Sequence, residues 1–174
     1  MAQVQANGIT IEYELAGPAK DPVLLMVHGL GAQLVRWPQA LCERLAQAGF
    51  RILRFDNRDV GLSSHMDGAP VPDLGAVIEA RGQGLDPELP YTLSDMARDA
   101  VGLLDALGID AAHVLGVSLG GMISQVMAIE HRHRVLSLNV MMTQSGNPDL
   151  PPSDPDAMAI LAKRAPDPRE DREA

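Results

Sequence analysis

The chain has one cysteine, Cys42, among its 174 residues, and aromatic residues make up only 3% of it. A single cysteine excludes an intrachain disulfide, and it gives no basis for a metal site built on thiolates. We expect Cys42 to be a small apolar residue on a helix rather than a nucleophile. The sequence indicates no bound cofactor and no metal-binding residues.

Positive charge is also scarce, with 14 Lys and Arg residues against 23 Asp and Glu residues, a formal net charge of -9. This balance disfavours nucleic acid and anionic membrane surfaces as partners. No apolar run approaches the roughly 20 residues that span a bilayer. Residues 1–8 lack the basic and then apolar pattern of a signal peptide. We therefore expect a cytoplasmic protein.

Strands and helices alternate along the first 145 residues. Asn7-Gly8 predicts a type I′ hairpin turn, and the alternating segment 9–15 after it predicts an antiparallel strand. The other predicted strands are apolar runs at 23–27, 51–55, 112–115 and 135–142. One predicted helix carries Trp37, Leu41, Leu45 and Ala48 on one face, a second follows the capping box Thr92–Asp95, and a third covers 121–129. This order indicates an α/β fold with a mainly parallel sheet, in which residues 65–91 are mainly loop.

The most informative stretch is Gly116-Val117-Ser118-Leu119-Gly120, which matches the pattern G-x-S-x-G. Where this pattern joins a strand to a helix, its tight turn holds the serine hydroxyl in a strained, exposed position. Here it lies between a predicted strand and a helix predicted to be buried. We expect Ser118 to be a catalytic nucleophile; the alternative is a turn of small residues without a catalytic role.

A second motif, His28-Gly29-Leu30-Gly31, ends the first buried strand. The backbone N–H groups of Leu30 and Leu119 could then bind the oxyanion of a tetrahedral intermediate, and Gly29 would let the loop aim its amides. For His28 we favour a hydrogen bond to loop backbone over a part in proton transfer.

The third motif is Asp56-Asn57-Arg58-Asp59-Val60-Gly61-Leu62-Ser63. With all three motifs in this order, the chain resembles the N-terminal part of an α/β-hydrolase fold enzyme over roughly residues 8 to 145. The third motif is similar to the D-x-R-G-x-G-x-S loop of that family, with Asp59 where glycine is usual. That departure and the run 123–131 resemble the aclacinomycin methylesterase-like subgroup. The resemblance implies a mostly parallel sheet with an antiparallel N-terminal hairpin and helices on both faces, incomplete without a C-terminal part.

The resemblance also implies roles for individual residues. Asp56 would organise its loop, with a direct catalytic part as the alternative. Arg58 and Asp59 would be pairing partners within the loop rather than substrate ligands. Trp37 would pack a helix, with a place over the pocket as the alternative. Residues 1–144 would form the N-terminal part of the hydrolase core. Residues 145–174, which hold six of the thirteen prolines, would start a partly mobile cap or linker with one short helix over 157–165.

The sequence has no suitable histidine after Ser118, where members of the resembling family carry the catalytic base. The triad order in the family is serine, then an acid, then histidine, but only His131 and His133 follow Ser118. A continuous helix would place them about 20 Å away, beyond hydrogen-bond reach. His65 and His113 are no better candidates. We therefore expect a C-terminal fragment of the same protein to supply the acid and the histidine. Cleavage in the cap, truncation and a naturally inactive remnant are the three explanations left open.

The expected function is a serine hydrolase that cleaves carboxylic esters through an acyl-serine intermediate at Ser118. The resemblance suggests a methyl ester of a bulky small molecule as the substrate. A cofactor-free haloperoxidase-type enzyme and a C–C bond hydrolase are alternatives that use the same triad. Epoxide hydrolases and haloalkane dehalogenases carry aspartate in place of the serine of the G-x-S-x-G motif, so Ser118 argues against both. The alternative outside enzymes is an inactive fragment or a binding protein of this fold.

Overall fold

A computed structural model of the chain describes residues 1–147, 149–151 and 153–161. Its six strands are β1 (Ala2–Ala6), β2 (Ile9–Ala16), β3 (Val23–Val27), β4 (Arg51–Phe55), β5 (Ala112–Val117) and β6 (Val135–Met141). Its helices in the described residues are α1 (Gln39–Gln47), α2 (Leu74–Gly82), α3 (Leu93–Ala106), α4 (Leu119–Glu130) and α5 (Pro155–Leu161). None of these helices is long and apolar enough to cross a membrane.

The strands form one sheet in the order β1-β2-β4-β3-β5-β6. β1 pairs with β2 and β2 with β4 in antiparallel fashion, while β4, β3, β5 and β6 run parallel to one another. The mainly parallel sheet with an N-terminal antiparallel hairpin is therefore confirmed. β3 lies in the middle, and all five of its residues are buried, as a continuous apolar run predicts.

Two local predictions about turns and caps are confirmed. Asn7 and Gly8 both have positive φ, 48° and 77°, which a type I′ hairpin turn requires. At the start of α3, the Thr92 side chain accepts from the backbone N–H of Asp95, and the Asp95 carboxylate accepts from the backbone N–H of Thr92. This reciprocal capping box satisfies donors that the first helical turn leaves free.

The core has one part on each face of the sheet. On one face α3 and α4 pack against the sheet through the larger cluster, which includes Leu25, Leu53, Leu103 and Ile123. On the other face α1 covers a smaller cluster that includes Met26, Trp37 and Cys42. The loops at the carboxyl ends of the parallel strands meet above β3, where ligands bind in open α/β sheets.

Residues 65–91 are mainly loop, as the sequence predicts, and they also contain α2, whose first turn Asp73 caps by accepting from two backbone N–H groups. Three other sequence predictions need correction. Trp37 is buried but precedes α1 instead of lying on it. α4 is not buried all round, since Ile129 is 78% exposed. The short helix predicted over 157–165 begins earlier, at Pro155, and residues 162–165 lie outside the described part of the chain.

β6 is the last strand of the sheet, and only its first residue is buried. Large apolar side chains on this strand are exposed to solvent, with Leu136 56% and Met141 45% exposed. Its outer backbone edge pairs with no other strand among the described residues. An unpaired apolar edge strand is a site where a further strand can add. The division of the chain at residues 144 and 145 stays a prediction.

Candidate active site

Ser118 lies between the end of β5 and the first residue of α4, with φ 55° and ψ -122°. A non-glycine residue with positive φ is uncommon, and this conformation is strained. The side chain is exposed at the carboxyl end of the sheet. The strand, turn and helix that the sequence predicts around this serine are therefore present.

Two glycines let α4 approach the sheet closely enough to form this turn. A Cβ atom at Gly116 would lie 2.5 Å from both the Gly120 carbonyl oxygen and Ser124 Oγ. A Cβ atom at Gly120 would lie 2.1 Å from the carbonyl oxygen of Val27. Real Cβ contacts are not this short, so both positions of the motif require glycine for packing.

Backbone hydrogen bonds hold Ser118 on two sides. Its N–H donates to the carbonyl of Met141 at 2.9 Å, and its carbonyl accepts from the N–H of Gly121 at 2.8 Å. The first bond ties the serine to the end of β6, and the second belongs to the first turn of α4. The strained conformation is thus determined by the neighbouring elements.

The loop 28–31 lies directly against this serine. A Cβ atom at Gly29 would be 3.1 Å from Ser118 Cβ and 3.5 Å from Ser118 Oγ. Leu30 and Leu119 line one cavity of about 730 Å³ together with Gly29. Among the described residues, neither the Leu30 N–H nor the Leu119 N–H has a hydrogen-bond acceptor. Two amide donors without an acceptor among the described residues therefore belong to the residues that follow Gly29 and Ser118, and their assignment as an oxyanion hole stays a prediction.

His28 is engaged by its own loop. Its Nδ1 accepts a hydrogen bond from the Gly29 N–H at 2.8 Å, and its ring lies 4.6 Å from that of Trp37. Burial, and then the positive charge of Arg36, lower the pKa of His28 from 6.5. A nitrogen that accepts a hydrogen bond carries no proton, so Nδ1 of His28 is unprotonated. The lowered pKa of His28 likewise favours a neutral imidazole. This arrangement fits the interpretation that we favoured, a hydrogen bond to loop backbone.

The Asp56 carboxylate is buried and accepts hydrogen bonds from the backbone of two loops. One oxygen accepts from the Leu34 N–H at 2.6 Å, and the other accepts from the Leu62 N–H at 3.0 Å. A Cβ atom at Gly61 would lie 2.0 Å from the second oxygen. The carboxylate thus joins two loops, which is the organising role that the resemblance implies.

Arg58 pairs outside its loop, which corrects the expectation of a partner within it, and both Arg58 and Asp59 also line the cavity. The Arg58 guanidinium forms two 2.6 Å hydrogen bonds with the buried carboxylate of Asp99 on α3, and burial leaves both side chains less than a tenth exposed. Asp59 has φ 63°, which explains why glycine is usual at this position, and its carboxylate accepts from the Met66 N–H at 2.6 Å.

Tyr91 is a cavity residue that no sequence pattern indicates. Its ring stacks under the Arg58 guanidinium at 5.1 Å and lines the cavity with Leu30 and Leu119. Burial first, and then a hydrogen bond to Asp59, raise the pKa of Tyr91 to about 12. It precedes the capping box of α3 in a Gly- and Pro-rich segment, where neither periodicity nor a motif marks it.

None of the remaining histidines, all of which lie in the described part of the chain, hydrogen-bonds Ser118. α4 is continuous from Leu119 to Glu130, so His131 is about 20 Å along the helix from the serine. His133 follows it, His113 Nδ1 is 2.8 Å from Ser137 Oγ, and His65 Nε2 is 3.1 Å from the Gly61 carbonyl. No side chain among the described residues hydrogen-bonds Ser118 Oγ. A general base for this hydroxyl is thus absent from the described part of the chain.

A family model for the alpha/beta hydrolase fold matches residues 22–171. The chain belongs to the alpha/beta hydrolase fold family. Its relatives include rhodomycin D methylesterase DauP of Streptomyces sp. (strain C5), which is 36% identical over 80% of this chain and 41% of its own length. Another is the putative carbamate hydrolase RutD of Variovorax paradoxus, 32% identical over 74% of this chain and 40% of its own length.

Solved structures agree with this family. A hydrolase from Pseudomonas aeruginosa matches 99% of this chain and 56% of its own, with TM-score 0.65 and 28% identity. The enol-lactonase from Burkholderia xenovorans matches 77% of this chain and 44% of its own, with TM-score 0.60 and 26% identity. The chain spans about two fifths of the length of the curated relatives that it matches. Among these relatives, the protein of Streptomyces sp. (strain C5) is named a methylesterase, in agreement with the subgroup resemblance.

Proposed function

We propose that this chain is the nucleophile-bearing part of a serine hydrolase that acts on carboxylic esters. The observation that carries the proposal is the exposed, strained Ser118 between β5 and α4, beside the free amides of Leu30 and Leu119. An electrophilic carbonyl carbon within reach of Ser118 Oγ can place its oxygen near both donors. Losing one such donor typically costs about 10²–10³ in rate.

The reaction has two half-reactions. Ser118 Oγ attacks the ester carbonyl carbon and gives its proton to a base, and the tetrahedral intermediate collapses as the alcohol leaves with that proton. Water then attacks the acyl-serine, and the carboxylic acid leaves while Ser118 regains its proton. The Leu30 and Leu119 amides stabilise the oxyanion in both half-reactions.

The base and its orienting acid come from polypeptide beyond the described residues. A serine hydroxyl is a weak nucleophile without a base, and the described histidines do not reach Ser118. The free edge of β6 gives such polypeptide a place to pair, because β6 is the last strand of the sheet and is bonded to β5 on one side only. A strand added there would carry its following loop to the same end of the sheet as the serine.

A methyl ester of a bulky small molecule is the substrate class that we favour. The cavity beside the two amides has a volume of about 730 Å³, within the range of sites for drug-sized molecules. Leu89, Tyr91 and Met96 give it a largely apolar wall. The methylesterase name of a 36% identical relative agrees with this choice.

Labelling by a fluorophosphonate tests the nucleophile. A sample that contains the polypeptide with the histidine and the acid should form one adduct, which peptide mass spectrometry assigns to Ser118, and the Ser118→Ala variant should form none. Ser94→Ala is the matched control, because Ser94 also lines the cavity and its hydroxyl donates to Glu130. That variant should be labelled like the wild type.

Intact mass and a search for a second polypeptide accompany this experiment, because labelling needs a base. If a sample that contains the polypeptide with the histidine and the acid is not labelled, the proposed activity is wrong and a binding role within the same fold takes its place. Release of methanol from methyl esters, compared with release of larger alcohols from matched esters, then tests the substrate class.

A further inference from the structure

The loop that carries the Leu30 N–H contains two glycines, so side chains at these positions do not restrict its backbone conformation. Residue 29 has no Cβ, and Ser118 leaves little room for one, since that atom would lie 3.1 Å from Ser118 Cβ. Gly31 adopts φ 66°, so the loop has a second glycine two residues on. Glycine has the largest conformational freedom of all residues. Other groups must therefore fix the direction of the Leu30 N–H.

The hydrogen bonds of the loop show which groups do so. The Gly29 carbonyl accepts from the Ala32 N–H at 3.2 Å, which orients the peptide group that includes the Leu30 N–H. The preceding peptide group, between His28 and Gly29, is held at both ends. Its N–H donates to His28 Nδ1 at 2.8 Å, and its carbonyl accepts from Asn57 Nδ2 at 3.1 Å.

Asn57 is itself fixed by its neighbours in the chain. It is 3% exposed, and its backbone carbonyl accepts from the Val60 N–H at 3.1 Å. The residue before it is Asp56, whose buried carboxylate accepts two backbone N–H groups. The residue after it is Arg58, which is paired to Asp99 on α3. The carboxamide is therefore attached to a segment that the core holds in place.

We infer that Asn57 is a positioning residue: its carboxamide fixes the His28–Gly29 peptide group and thereby aims the Leu30 N–H at the oxyanion. This role rests on the proposed function for its catalytic consequence, but the hydrogen bond and its effect on the loop are independent of it. Asn57 also lines the cavity, but its carboxamide donates to the His28 carbonyl, and the effect that we infer acts through this loop backbone.

The first test measures the hydrogen bond in the wild-type protein as isolated. A through-hydrogen-bond NMR coupling between the Asn57 side-chain nitrogen and the His28 carbonyl carbon is expected. The imidazole nitrogen shifts of His28 should also show Nδ1 as an acceptor. If the coupling is absent while couplings across β3 and β5 are detected, the inference is overturned without any variant.

The second test uses Asn57→Leu, which has similar size but no donor, and Asn57→Asp, which has the same shape and an ionised acceptor. Amide hydrogen exchange at Gly29 should accelerate about five- to tenfold in both, the factor that one net hydrogen bond supports. Exchange at Leu25 in β3 should stay as in the wild type. Asn139→Asp, on the exposed edge strand, is the matched control and should leave the Gly29 rate unchanged. An unchanged Gly29 rate in the folded Asn57 variants overturns the inference.

The third test links the loop to chemistry. At saturating fluorophosphonate, the first-order rate of labelling at Ser118 should fall about tenfold or more in both variants. The concentration for half-saturation should stay similar, because the Leu30 N–H, which is no longer correctly oriented, acts in the transition state. If a wild-type sample that contains the polypeptide with the histidine and the acid is not labelled but exchange at Gly29 responds, the proposed function fails and the positioning of the loop stands. If the wild type and the variants are labelled at equal rates, the positioning role is wrong.

Discussion

Gly120 and Val27 are the residue pair that determines the geometry of the turn around Ser118. A Cβ atom on Gly120 would lie 2.1 Å from the Val27 carbonyl oxygen at the end of the central strand. The glycine is thus the point at which α4 touches β3. This contact fixes how far Ser118 projects above the sheet.

Replacing this glycine should be costly. Gly120→Ala forces α4 away from β3, and we expect a loss of about 3 kcal/mol in the free energy of unfolding, at the upper end for overpacked sites. The matched control is Gly82→Ala at the exposed end of α2, where a Cβ meets nothing within 4 Å. That change should be neutral or stabilise by up to about 1 kcal/mol. Urea unfolding of both variants measures the difference, and equal stabilities would contradict the packing argument.

The buried ion pair between Arg58 and Asp99 should matter far more than an exposed one. Asp99→Asn leaves the buried guanidinium without its charged partner, so we expect a loss of about 3–5 kcal/mol. Asp86→Asn removes the partner of Arg81 in a pair with 56% and 85% of the side chains exposed, and it should cost less than about 1 kcal/mol. Thermal and urea unfolding compare the two variants. A similar loss in both would show that the buried pair does not hold the loop.

The stability of the protein should depend on the ionisation of His28. In the folded protein burial and Arg36 lower its pKa, whereas in the unfolded chain it titrates near 6.5. Between these two values the unfolded state binds more protons, so the contribution of His28 to stability is complete above pH 6.5. It is lost as pH falls towards the folded pKa.

The measurement is the free energy of unfolding between pH 5 and 8 for the wild type and His28→Gln, in which an uncharged side chain keeps an acceptor oxygen. The difference between the two proteins should become less favourable to the wild type as pH falls. An NMR titration of the His28 ring should give a midpoint below 6.5. A midpoint above this value would contradict the neutral acceptor that Gly29 requires.

Cys42 should react slowly in the folded protein. Its thiol is buried on α1, and burial raises its pKa despite the opposing charge of Arg54. Only the thiolate is a strong nucleophile, so modification needs both opening of the structure and deprotonation. Reaction with a disulfide reagent at pH 8 should be roughly a hundredfold slower than in denaturant. Equal rates would mean that the thiol is accessible in the folded state.

Local patterns predicted much of this fold. Asn7-Gly8 specifies its turn by positive φ, Thr92 and Asp95 specify a cap within four residues, and the apolar run of β3 needs only burial on both faces. The turn around Ser118 was equally local, because its glycines lie within the motif. Each of these features depends on residues that are close together in the sequence.

Features that depend on distant residues were not predictable in the same way. The sequence marked Arg58 as a pairing residue, but its partner is Asp99, 41 positions away on α3. The bond from Asn57 to the His28 carbonyl joins two separate loops, and no pattern links them. α2 was missed because its residues lack helical periodicity, although Asp73 beside Pro72 was an available start signal.

The hydrogen bond from the Ser118 N–H to Met141 gives β6 a second significance. Edge strands open more readily than central ones, because they are paired on one side only. Here the last carbonyl of the edge strand is also one of the two backbone restraints on Ser118. Fraying of β6 would therefore release Ser118 from its strained conformation before the central sheet unfolds. A strand that pairs with β6 would suppress this fraying, so pairing at the sheet edge would also stabilise the conformation of Ser118.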